Sequence, residues 1–181
     1  TVAMGAGMFY FWLQRKTVAT QYQSVMTVAG IICAVAAFHY WRMSGIYIEG
    51  VASLFDDNGK RIAGATIGQF PTAYRYIDWL ITVPLLMVEF YIILSAVTKV
   101  SGGVFWRLMI GTLVMLIGGY LGEAGVIGAW PGFIVGMLGW LYILKEIFAG
   151  EASKISAESA PASVQSAFKL MRNIVTIGWA I

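Results

Sequence analysis

Apolar residues run in long blocks along this chain, and polar residues gather in the breaks between them. The blocks cover about 21 to 44, 73 to 98, 104 to 127 and 129 to 149. Each meets or exceeds the roughly 20 residues that cross about 30 Å of hydrocarbon at about 1.5 Å per residue. The pattern predicts four membrane-crossing helices. Two further apolar stretches are shorter, 1 to 14 at the start and Ile174 to Ile181 at the end. Both read as portions of additional crossings, so the expectation is a piece of a longer membrane protein.

Between the first two full blocks lies an interval of about 45 to 70 that contains IYIEGVASLFDDNGKRIAGATI. Residues with β propensity flank Asp57-Asn58-Gly59, and Asn-Gly accepts the positive φ angles of a two-residue turn. A β-hairpin is expected here. A calcium loop is the weaker reading, because acidic ligands do not continue at the required spacing.

The breaks also set orientation. QRKT, TKVSGGVFWR and KEIFAGEASKISAESAPASVQSAFKLMR share one side if every block crosses, and they carry Arg15, Lys16, Lys99, Arg107, Lys145, Lys154, Lys169 and Arg172. The opposite side carries Arg42, Lys60 and Arg61. By the positive-inside rule the first group is cytoplasmic and the N-terminus lies outside. Composition fits this reading, since 59% of the residues are hydrophobic and 12% charged, whereas soluble domains carry about 25% charged residues. The net charge of +3 is spread over isolated side chains, without the basic patch that nucleic acid requires. The single cysteine, Cys33, excludes an intrachain disulfide and reads as a small packing residue. The sequence has neither a Cys/His cluster with metal-ligand spacing nor a glycine motif for phosphate.

The third block carries the chemistry. RYIDWLITVPLLMVEF, Arg75 to Phe90, holds an arginine and two carboxylates in an otherwise apolar run. An ionisable group in the hydrocarbon core costs roughly 2.5 to 3.5 kcal/mol even on the lenient scale, so its default reading is functional. With about 100° per residue, Thr82 lies about 40° and Glu89 about 20° round the helix from Asp78, and Arg75 about 60°. All four share one narrow face. Asp78 and Glu89 are separated by roughly 16 Å along the axis, the geometry of two stations on a proton path, and too far apart for a hydrolytic pair. The alternative is that these groups pair with polar partners on neighbouring helices. His39, in AAFHYWRM, is a second intramembrane polar group, able to bond to a carboxylate or simply to sit hydrogen-bonded in the core. Glu123, in GYLGEAG, lies near a block end, where solvation or helix capping competes with proton transfer.

RYIDWLITVPLLMVEF, together with FHYW, GYLGEAG and the terminal GWAI, closely resembles the proteorhodopsin group of microbial rhodopsins. The resemblance covers essentially the whole chain and implies an all-α membrane fold, a seven-helix bundle. In that frame 1–14 is the end of helix A, 21–44 helix B, 73–98 helix C, 104–127 helix D, 129–149 helix E and 162–181 the start of helix F. It also implies all-trans retinal, held as a protonated Schiff base by a helix G lysine. None of Lys16, Lys60, Lys99, Lys145, Lys154 or Lys169 matches that lysine, so this stretch alone is not expected to form the covalent pigment. Further implications are a light-driven outward proton pump, a transporter rather than an enzyme, in the bacterial cytoplasmic membrane, and a homo-oligomer.

Position by position, the resemblance makes Asp78 the primary proton acceptor and counter-ion and Glu89 the cytoplasmic proton donor. Thr82 becomes a hydrogen-bonding link between them, Arg75 the stabiliser of the counter-ion region, and His39 the acceptor's partner. Tyr76, Trp79 and Trp179 match retinal-pocket residues, with Trp140 and Met115 as weaker candidates. Leu86 occupies the colour-tuning position, where an apolar residue resembles the green-absorbing forms. Phe133 stands where carotenoid-binding relatives have a glycine window, so no carotenoid antenna is expected. Sodium or chloride pumping would call for other residues in the Asp78, Thr82, Glu89 triplet. The competing function is a photosensory rhodopsin signalling through a partner, against which Glu89 argues. A scaffold without a chromophore would leave the aligned stripe accidental.

Overall fold

The computed structural model describes residues 1–65 and 72–179. Their helices are α1 (Val2–Gln14), α2 (Gln23–Ala52), α3 (Thr72–Ser95), α4 (Gly102–Glu123), α5 (Ala129–Ala149), α6 (Glu151–Ser159) and α7 (Ala162–Asn173), with a π-helical turn at Ile174–Gly178. Helix is the form that satisfies every backbone N–H and C=O within one segment, as hydrocarbon requires. Among the described residues, four stretches are long and apolar enough to cross a membrane: Thr20–Ala52, Thr72–Ser95, Gly102–Glu123 and Ala129–Ser159. Large apolar side chains such as Trp41, Ile48, Trp106, Ile117 and Leu138 point outward, as they do where lipid rather than water is the solvent.

Successive helices pack side by side, α1 on α2, α2 on α3, α3 on α4 and α4 on α5. The α4–α5 seam is the closest, and glycine makes it so. A Cβ added at Gly139 would lie 2.5 Å from the Met115 backbone nitrogen and 2.7 Å from the Gly111 carbonyl oxygen. Small residues that let backbones approach are the usual means of helix association where no hydrophobic drive operates. Helix α3 supplies more of the interior than its neighbours and carries Pro84 within its length, which has no N–H to give the Leu80 carbonyl. Near its Ser95 end, Met87, Phe90 and Leu94 meet Leu108 of α4, Ile147 of α5 and Phe168 of α7 in an apolar core.

One expectation changes. The β-hairpin is replaced, among the described residues, by a single antiparallel bridge between Phe55 and Arg61. Helix α2 runs on to Ala52 and takes up the residues of the first strand. What remains is a turn in which the Asn58 and Lys60 amides donate to Asp56 Oδ1, at 3.0 and 2.8 Å, and Gly59 takes φ +74°. Residues 66–70 of that expectation lie outside the described residues. The polar stretch from Lys145 to Arg172 breaks the apolar pattern without ending the helical backbone. It is mostly helical, broken only at Gly150 and at Ala160-Pro161.

Candidate functional site

Helix α3 places Asp78, Thr82 and Glu89 on its inward face, and all three are buried. Asp78 is 2% exposed. Its Oδ1 lies 3.5 Å from His39 Nδ1 of α2 but has no hydrogen-bond donor. The reason lies on the histidine. Nδ1 is 2.9 Å from the Val35 carbonyl oxygen, which can only accept, so Nδ1 carries the hydrogen and gives it to its own helix. The imidazole is thus beside the carboxylate without being bonded to it. Thr82 Oγ1 donates to the Asp78 backbone carbonyl at 2.9 Å, which leaves its oxygen lone pairs as acceptors.

Glu89 sits further along, 9% exposed, with Oε1 buried and without a partner. It borders the apolar core, where Phe90 meets Phe168 edge-on at 5.5 Å.

Arg75 lies at the other end of the stripe. It forms an ion pair with Glu123 of α4, and its guanidinium lies 5.3 Å from the Trp79 ring centre. Thr72 Oγ1 donates to the same Glu123 oxygen at 3.0 Å. Glu123 is therefore part of a cluster joining α3 to α4, not only a solvated helix end. Above it Tyr76 stacks edge-on against Trp79 and Tyr120, at 5.3 and 5.2 Å. Leu86, Met115 and Trp179 pack against the apolar core, and Trp140 Nε1 donates to the Val175 carbonyl at 3.2 Å. Phe133 is exposed on α5 and meets Trp130.

The family model of bacteriorhodopsin-like proteins matches residues 1–181. The chain belongs to the bacteriorhodopsin-like family. It is 42% identical to the green-light absorbing proteorhodopsin of Gamma-proteobacterium EBAC31A08, over all of this chain and 66% of that protein. It is 40% identical to the blue-light absorbing proteorhodopsin of Gamma-proteobacterium Hot 75m4, over all of this chain and 65% of that one. The crystal structure of a blue light-absorbing proteorhodopsin from Med12 superposes with a TM-score of 0.75 at 40% identity, covering 99% of this chain and 71% of that one. The chain thus spans just under two thirds of the length of these two relatives.

For a bacteriorhodopsin-like chain the expected prosthetic group is retinal. The residues present fit it: Asp78 offers a buried, unpartnered carboxylate oxygen to a cation, and Tyr76, Trp79, Leu86, Met115, Trp140 and Trp179 offer apolar and aromatic surfaces.

One ionic cluster of this bacteriorhodopsin-like chain escaped the sequence. Arg107 of α4 binds Glu146 of α5 through Nε to Oε2, 2.8 Å, and Nη2 to Oε1, 3.3 Å, and reaches Glu151 of α6 at 2.6 Å. The available signal was Glu146 itself, a carboxylate within LYILKEIFAG near a block end.

Proposed function

We propose that the complete protein is a light-driven outward proton pump that works with bound retinal in the bacterial cytoplasmic membrane, with its N-terminus outside. The carrying observation is the stripe on α3: a buried Asp78 with an unpartnered oxygen, and a buried Glu89 roughly 16 Å along the same face. Retinal, when bound, supplies light absorption and the change of shape that drives proton release. Asp78 accepts that proton, because its free Oδ1 has no competing donor. His39 stands 3.5 Å away, near enough to respond to the charge on Asp78 by exchanging its Val35 bond for one to the carboxylate. Glu89 resupplies the proton from the other side. Arg75, anchored on Glu123, places a positive charge on the outer side of Asp78. Each proton moved outward works against the membrane potential, at about 2.3 kcal/mol per 100 mV.

Leu86 leaves no polar group at the colour-tuning position, which supports green absorption. The similarity to proteins named as proteorhodopsins supports the same reading.

The test is illumination of retinal-supplied cells expressing the complete reading frame, with external pH recorded. Acidification that a protonophore abolishes and that Asp78→Asn removes is expected. A coloured protein that cycles in light without acidifying the medium overturns the proposal.

A further inference from the structure

The Glu89 side of the bundle is closed by an apolar plug. Phe90, Leu94, Val104, Leu108, Ile147, Ala152 and Phe168 are all buried to 2% exposure or less. This region lies between Glu89 and the Ser95 end of α3, and α6 and α7 pack over it as a roof.

Helix α6 is a weak element by itself. It has nine residues, EASKISAES, and only Ala152 and Ser156 are buried. Helices this short are marginal without tertiary support. Its support is the ionic cluster. Glu146 is 6% exposed, and its Oε1 accepts the Ala152 N–H in the first turn of α6 at 3.1 Å. Arg107 holds that carboxylate and Glu151 together. Two glycines make room for the cluster. A Cβ at Gly150 would lie 2.5 Å from Glu146 Oε2, and one at Gly103 would lie 3.0 Å from Arg107 Nη1. The cluster thus ties α4, α5 and α6 at the point where α5 breaks and the roof begins.

We propose that Arg107, with Glu146 and Glu151, is a latch that holds α6 and α7 closed over Glu89 and so limits how fast Glu89 regains a proton. The proposal rests on the pumping role given to Glu89 above. Arg107 is a positioning residue in it: the guanidinium touches neither Glu89 nor the apolar surfaces assigned to retinal, and it acts through the roof. A planar fork that serves two carboxylates at once suits this task, and a lysine cannot reproduce it.

Glu151→Gln and Arg107→Lys in the complete pigment test the latch. Arg107→Gln is less suitable, because it strands a buried carboxylate and can prevent folding. Glu151→Gln removes only the half-exposed arm. Proton uptake after a flash, timed with a pH-indicator dye, is expected to quicken by about two- to fivefold in Glu151→Gln, with an unchanged absorption maximum. Amide hydrogen exchange across α6 is expected to rise in the same variant, a readout that does not need the pigment. Unchanged uptake times in both variants, even with a lowered melting temperature, overturn the latch and leave a structural cluster. Unchanged α6 exchange overturns it as well. If the unsubstituted protein moves no protons in light, the pumping proposal fails and the latch with it. Normal pumping with unaltered uptake in the variants sinks the latch alone.

Discussion

Gly139→Ala, compared with Gly136→Ala, tests the α4–α5 seam and its link to the site. Both residues lie on α5 and face α4, three positions apart. At Gly139 the new methyl would come within 2.5 Å of the Met115 nitrogen, 2.7 Å of the Gly111 oxygen and 2.8 Å of the Met115 Cα. These are backbone atoms and cannot rotate away. Ordinary carbon contacts begin near 3.5 Å, so the helices must separate by close to an ångström or tilt. Overpacking of this kind costs about 1–3 kcal/mol, while replacing a helical glycine by alanine returns about 0.8–1 kcal/mol. At Gly136 the nearest atom is the Met115 carbonyl oxygen, 3.4 Å away, so mainly the propensity gain remains. Gly136→Ala is therefore expected to be neutral or more stable, and Gly139→Ala less stable than it by about 1–3 kcal/mol. Unfolding in mixed micelles, followed by tryptophan fluorescence, measures both. In the complete pigment Gly139→Ala should also move the absorption maximum, since the displaced backbone belongs to Met115. Equal stabilities for the two alanine variants, or a more stable Gly139→Ala, would refute the steric argument.

Three further outcomes follow from the site. Glu89→Gln should leave colour intact while slowing the return of the photocycle by about 10²-fold, the lower range for loss of a positioned proton donor; flash photolysis reads it, and an unslowed return removes Glu89 from the path. Glu123→Gln should cost less than about 1 kcal/mol of stability, because the Arg75 and Glu123 side chains are 32% and 39% exposed and exposed pairs are weak. It should nevertheless alter the timing of proton release by removing the carboxylate charge beside Arg75, and a loss well above that figure in unfolding experiments would mean the pair is structural. Trp140→Phe loses the bond to the Val175 carbonyl and should destabilise the chain by about 1 kcal/mol in the same unfolding assay, while a neutral result would show that bond to be dispensable.

The Asp78, Thr82 and Glu89 stripe was legible because helix periodicity is local: the twelve residues from Asp78 to Glu89 on one helix decide which side chains share a face. The four crossings were legible for the same reason, since length and apolarity are read along the chain. Partners were not. Arg75 belongs with Glu123, 48 positions away, and Arg107 with Glu146, 39 positions away. Nothing in the spacing of either pair marks them, and the seam that brings α4 against α5 depends on glycines whose use appears only when two backbones meet. Thr82 shows the same limit at short range, because its hydroxyl had a backbone carbonyl four residues back as an alternative to a carboxylate.

The hairpin failed for a different reason. Asn58-Gly59 does mark a turn, and Gly59 takes the positive φ expected of it, but residues 45–52 are compatible with both strand and helix. Continuing α2 satisfies their backbone groups without a partner strand, and the helix prevails. The sequence by itself determined a membrane chain, its crossings, and an inward face carrying two acids. Only the tertiary structure decided that Asp78 keeps an unbonded oxygen beside His39, that Arg75 pairs with Glu123, and that Arg107 joins α4 to α5 and α6. Hydrophobic periodicity is a property of one segment, whereas charge pairing and close packing are properties of two or more segments brought together.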